Sequence, residues 1–211
     1  MVGFAVRIPV LSLRDGVVFP EQRTILSIGR RRSLGALARG GEVLVLAQRT
    51  PELDEPGPND HLSFGCTAEL VGATARAEGL DVRLRGLERA RVLRLETEDD
   101  ALVAEAEVVE EEALGYDTSR IRAYAEVVAE STWGCSKRRA RRAVGAIQSP
   151  GRLADVVIGG AQLSWETRCS LIAEPRSAVR VGRVLSEAAT WSYASPEPWW
   201  VRLRRLLGGK R

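Results

Sequence analysis

Polar and apolar positions alternate with a period of two over the first half of this 211-residue chain and with a helical period over the second. Ile8 to Leu13 opens as an apolar strand containing Pro9, turns at Arg14-Asp15-Gly16, and resumes as Val17-Val18-Phe19 before Pro20. A proline cannot donate to a ladder, so this stretch is expected to form an edge strand. Thr24 to Ile28 alternates as a second strand. Leu34, Leu37 and Ala38 fall at helical spacing, and Gly40-Gly41 closes that short helix. The unbroken run Val43-Leu44-Val45-Leu46 reads as a strand buried on both faces. Four further strands are expected over Gly65 to Ala73, Leu80 to Arg85, Arg89 to Glu96 and Leu102 to Val109, with Gly86 as one of the turns between them.

Beyond Glu110 the period changes to 3.6. Asp117 and Thr118 can cap a helix whose Ile121, Tyr124, Ala125, Val128 and Thr132 fall on one face and which ends at Gly134. Ser136 to Ile147 is a basic helix with Ala140, Val144 and Ile147 as its inner face. Ser149-Pro150 pairs a cap with proline at the first helical position. Ser164 caps a fourth helix through Leu171-Ile172, and Pro175 starts a fifth with Val179, Val184, Leu185 and Ala188 turned inward. The fold class is therefore α+β, with a small β barrel or sandwich first and a helical bundle second. The expected divisions are residues 1–113, 114–194 and a tail, 195–211.

Composition changes this picture little: 45% hydrophobic and 28% charged residues are ordinary for a globular chain. Charge changes it more. Up to Tyr116 there are 14 Arg against 20 acids, net −6, and from Asp117 onward 17 basic residues against 8 acids, net +9. Surfaces of opposite sign are expected on the two parts. No run reaches the roughly 18 apolar residues of a spanning helix. The N-terminus lacks the pattern of a secretory signal, and three scattered cysteines without CxxC suit reduced thiols, so a cytoplasmic location is expected.

Candidate chemistry is sparse. His61 is a lone histidine without a ligand or acid at motif spacing and is assigned no chemistry. Nothing resembles a phosphate-cradling loop, a G-x-S-x-G elbow or a metal-ligand set, so no catalytic residue, cofactor or metal is expected. Lys137, Arg138, Arg139, Arg141 and Arg142 form a basic face. It suits either a nucleic-acid backbone or pairing with the acidic loops 51–60 and 96–100; no aromatic residues interleave it for base stacking, which favours the second. In the tail, Trp199, Trp200 and Leu203 belong to a basic amphipathic pattern that fits a membrane surface, a partner groove or the chain's own bundle.

The segment Ile8 to Leu37, IPVLSLRDGVVFPEQRTILSIGRRRSLGAL, resembles the start of the N-terminal domain of Lon proteases. Four later pieces agree in order: Glu42 to Gln48, GCTAEL at 65–70, GLERARV at 86–92, and Leu153-Ala154-Asp155 with Leu163-Ser164 and Leu171-Ile172. Two positions depart from the family pattern. Ile25-Leu26 stands for a proline-leucine pair, and Arg168-Cys169 for a lysine-glutamine step. The resemblance implies a PUA-like β pseudo-barrel beside a helical bundle, and a non-catalytic adaptor that holds unfolded or degron-bearing protein segments for a proteolytic system. Its contacts would be the opening edge with Val17, Val18 and Phe19. RNA binding, a use of PUA-like folds in other proteins, is the alternative.

Overall fold

A computed structural model describes residues 5–111, 118–161 and 163–193, with side chains as far as residue 187. The described chain is α+β and divides into two units: Met1–Glu110 with Trp165–Ala173, and Glu111–Ser164 with Glu174–Arg211.

The first unit is built on six strands: β1 Val6–Leu13, β2 Arg23–Ile28, β3 Glu42–Ala47, β4 Phe64–Ala75, β5 Leu80–Glu98 and β6 Ala101–Val108. They run in the order β2-β5-β4-β3-β1-β6, and β6 pairs again with β5, so five strands close on themselves. Closure removes open edges from those five, while β2 joins β5 on one side only. Ile8, Val10, Leu44, Leu46, Leu102 and Ala104 fill the barrel. β3 carries five consecutive buried residues, as its unbroken apolar run predicts. Helix α1, Arg31–Ala38, packs on β1 and β6 and ends at Gly40 and Gly41, both at positive φ.

Three expectations for this unit are corrected. β1 is not an edge: it pairs in parallel with β3 and antiparallel with β6, and Pro9 is accommodated because the ladder to β3 begins after it, at Val10. Val17 to Phe19 is a buried non-strand segment. Gly86 is not a turn, for β5 runs unbroken through it. A Cβ there would lie 2.1 Å from the Phe19 carbonyl oxygen, so this glycine is needed for close backbone approach. The two segments exchange bonds, Gly86 N–H to Gln22 C=O at 2.9 Å and Glu21 N–H to Gly86 C=O at 3.0 Å.

Helix α5, Trp165–Ile172, was expected in the bundle and instead groups with the strands. The cause is Arg89 of β5, only 2% exposed, which donates to the Ile172 and Leu171 carbonyls at 2.8 and 3.3 Å and so satisfies the end of the helix. Arg168 of α5 donates to the Val17 carbonyl at 2.6 Å, and its guanidinium lies 5.6 Å from the centre of the Phe19 ring.

The second unit holds α2 Ser119–Thr132, α3 Lys137–Gly145, α4 Pro150–Gly160 and α6 Ser177–Tyr193. α4 packs against α2 and α6, and α3 against α2. Ser149 caps α4 through the N–H of Arg152, as the sequence predicts, and Ser136, expected inside the basic helix, instead caps α3 through the N–H of Arg139. Thr118 makes no side-chain cap to α2, and Asp117 lies outside the described residues. Val179 is 41% exposed, contrary to expectation: the inner face of α6 follows Ser177, Arg180, Val181 and Val184, which places Val179 on the other side. The side chain of Ala188 lies outside those described.

Candidate functional site

Val17, Val18 and Phe19, expected to meet a client, are 5%, 2% and 0% exposed. They are core, sealed by Arg168. Among the described residues the open edge lies instead on β2. Its inward residues are Leu26 and Ile28, and Ile25 points outward at 66% exposure. Ile25 pairs with Arg83 of β5, and Arg83 pairs with Gly72 of β4, so the three share one face. A register shift between Leu70 and Gly72 makes Val71 the extra residue of a bulge, 60% exposed. Leu70 beside it is 39% exposed. Arg83 lies over Gly72, where a Cβ would meet its Nη2 at 2.7 Å. The outer face of β2 thus offers the exposed Ile25 beside a strand edge that has no partner among the described residues. The departure Ile25-Leu26 marked this position in the sequence; what pattern alone could not show was that β2 ends the sheet.

Beyond the C-terminal end of β2 a polar platform supports the start of α1. Gln48 is wholly buried; its amide donates to the Leu53 and Thr50 carbonyls at 3.0 and 3.3 Å, which leaves its oxygen to accept from Arg30. His61, 4% exposed, is a packing residue. Its Nδ1–H donates to the Gly57 carbonyl at 3.0 Å, so Nε2 accepts from the Ser12 hydroxyl at 2.7 Å. Burial, only partly offset by the bond to Gly57, holds the His61 pKa below 6.5. On acidification the unfolded chain therefore takes up this proton first, and stability present above pH 6.5 is lost as pH falls through the folded value. We expect the urea midpoint to fall between about pH 7 and 5.5. His61→Gln should flatten that slope.

The basic face of α3 is exposed at Lys137, Arg138, Arg139, Arg141 and Arg142. Within its own unit it finds acid partners on α2. Arg141 pairs with Glu130 at 2.8 Å and Glu126 at 3.6 Å, and Lys137 with Glu130 at 3.7 Å, all on α2. Two of the five charges are thereby met within the unit. Trp199, Trp200 and Leu203 lie outside the described residues. None of the three cysteines is in a disulfide. Burial and the nearby Glu166 carboxylate push the Cys169 thiol up to about 11, so it is protonated at neutral pH and a poor nucleophile. Among the described residues no three His, Cys, Asp or Glu side chains are grouped to hold a metal ion, and no helix is long and apolar enough to cross a membrane.

Fold and site define a class: a small α+β protein whose closed β unit leaves, among the described residues, one strand edge open beside the exposed Ile25. The chain belongs to the ATP-dependent protease La (LON) substrate-binding domain family, whose model matches residues 7–189. The Lon protease of Escherichia coli (strain K12) is 34% identical over 110 residues, 50% of this chain and 14% of that protein. Lon protease 3 of Sorangium cellulosum (strain So ce56) is 30% identical over 160 residues, 72% of this chain and 19% of that protein. The matches thus span about a seventh to a fifth of these curated relatives' length. The solved N terminal domain of Mycobacterium avium complex Lon protease has a TM-score of 0.62 at 20% identity, covering 86% of this chain and 97% of that one. For a Lon N-terminal domain protein from Xanthomonas campestris the values are 0.58, 20%, 86% and 98%. Both likenesses are of fold.

Proposed function

We propose that this chain is a non-catalytic recognition module that takes extended or unfolded segments of other proteins onto the open edge of β2. One observation carries the reading: among the described residues β2 is paired on one side only, and it presents Ile25, 66% exposed. An extended segment laid there would gain main-chain hydrogen bonds from the edge and side-chain burial from the apolar face, the two terms of strand addition. The family's description as a substrate-binding domain agrees with it. On this reading the clients are degron-bearing or unfolded chains and the downstream partner is a proteolytic system. Its place is the cytoplasm, where unpaired cysteines stay reduced.

The test is binding of a labelled, permanently unfolded protein, read by fluorescence anisotropy. Ile25→Asp puts a charge on the apolar face at an exposed position where folding is little affected. It should weaken binding about tenfold, the loss of roughly one buried aliphatic side chain. Unchanged affinity, in a variant with native circular dichroism, would remove β2 from the account.

A further inference from the structure

A hollow of about 290 Å³ lies in the first unit between the end of β1, the end of β2 and the start of α1. Leu13, Leu26 and Ile28 line it on the apolar side, and Arg14, Arg30 and Ser33 on the polar side. Arg30, at the N-cap of α1, makes no side-chain cap, and the first turn carries no acid. The N–H groups of Arg31, Arg32 and Ser33 find no acceptor among the described residues. Helix starts of this kind attract negative charge.

A second observation is independent of the helix end. Ser33 is 4% exposed and lines the hollow, yet its hydroxyl has no partner among the described residues. That hydroxyl opens onto the hollow, where a group seated there could supply the partner it lacks. Arg30 adds a third: its side-chain partner is the neutral oxygen of Gln48, and it forms no ion pair among the described residues. Burial, and then the like charge of Arg14, lower the Arg30 pKa, partly offset by Glu55 and Asp54; an incoming anion would add to that offset. Arg14 is already paired with Asp54, and the exposed Asp15 sits on the rim as a counter-charge that discourages a bulky polyanion.

We propose that this hollow receives a carboxylate of the bound segment, from its C-terminus or from an Asp or Glu side chain, held by the N–H groups of residues 31–33, the Ser33 hydroxyl and Arg30. The inference rests on the reading that extended segments lie along β2, whose last residues line the same hollow. A segment on that edge would carry its apolar side chains over Ile25 and deliver its charge at the start of α1. Charge-assisted bonds of this type are short and selective.

The test uses the full chain and three labelled peptides of one apolar, extended sequence: one with a free C-terminal carboxylate, one amidated, and one amidated with Asp as its last residue. Anisotropy should show the free acid binding about tenfold more tightly than the amide, a preference that shrinks as salt rises. If the Asp peptide matches the acid, either carboxylate serves; if it matches the amide, the site reads the chain end. Arg30→Gln and Ser33→Ala should each reduce the preference while leaving affinity for the amide unchanged. Ile25→Asp should weaken all three peptides together. Equal binding of the three peptides to the native chain, still sensitive to Ile25→Asp, overturns the carboxylate site and leaves the β2 edge standing. A preference that survives the Arg30→Gln/Ser33→Ala double variant also overturns it. Failure of all three peptides to bind overturns both.

Discussion

Replacing Arg180 by Met is expected to lower the unfolding free energy by about 3–5 kcal/mol, the range for removing one partner from a buried ion pair. Arg180 and Asp155 have wholly buried side chains, with Nε 3.1 Å from Oδ1. That Nε–H has no aligned acceptor, so its attraction to Asp155 is charge to charge and not a directed hydrogen bond. The other arm of the guanidinium contacts Glu111, which also accepts from Ser149, and it donates to the Glu174 and Pro175 carbonyls at 2.8 and 3.1 Å. Gly151 leaves room for this contact: a Cβ there would come within 2.4 Å of the Arg180 Nη2. Methionine keeps the bulk and removes the guanidinium from between Asp155 and Glu111. The double variant Arg180→Met/Asp155→Leu should recover most of the loss, because two apolar residues replace a pair whose desolvation is itself costly. Urea unfolding of the three proteins checks both statements; a loss under about 1 kcal/mol for the single variant would mean that the network is not fully desolvated.

Gly86→Ala is expected to cost about 3 kcal/mol, through a clash that no rotamer can relieve. The added Cβ would meet the Phe19 backbone at 2.1 Å to oxygen and 3.0 Å to carbon, with Cys66 Sγ at 3.1 Å. Because Gly86 bonds to Glu21 and Gln22, displacement of residues 19–22 should reach β2, which starts at Arg23. The variant should therefore bind unfolded protein less well even under conditions where it remains folded. Thermal unfolding and anisotropy on the same samples separate the two effects, and a native unfolding temperature would contradict the close approach.

These two sites also show where sequence pattern ends. The start of α4 was legible because its cause is local: Ser149-Pro150 sits within three residues of the N–H it caps and the turn it begins. So was β3, since burial on both faces leaves an unbroken apolar run. Gly86 was read as a turn because a glycine between two alternating stretches usually is one, and the backbone it admits lies 67 positions earlier, at Phe19. Pro9 argued for an edge by a rule about missing donors that does not say on which side the donor is needed. The grouping of α5 with the strands turns on Arg89, whose motif, GLERARV, was visible while its role as a buried donor to the end of α5 was not. For the candidate site, the three apolar residues nearest the expected edge, Val17, Val18 and Phe19, are buried. Burial separates Phe19 from Ile25, and burial follows from the strand order, which no local pattern encodes.

The basic face of α3 illustrates the same limit for charge. Its five cations were plain in the sequence, but their partners Glu126 and Glu130 are set by the packing of α3 on α2. Partial neutralisation within the unit weakens the case for a phosphate-tracking surface, for which unpaired cations supply the counterion release that drives binding. Strand addition on β2 needs no such surface.

Hydrogen–deuterium exchange of the intact chain, with and without a saturating unfolded client, tests that mode most directly. The account predicts slowed exchange within Thr24 to Ile28, whose backbone groups face an unpaired edge until a segment occupies it. Unaltered exchange across Thr24 to Ile28 in the presence of bound client, with protection confined to α3 or elsewhere, would contradict it.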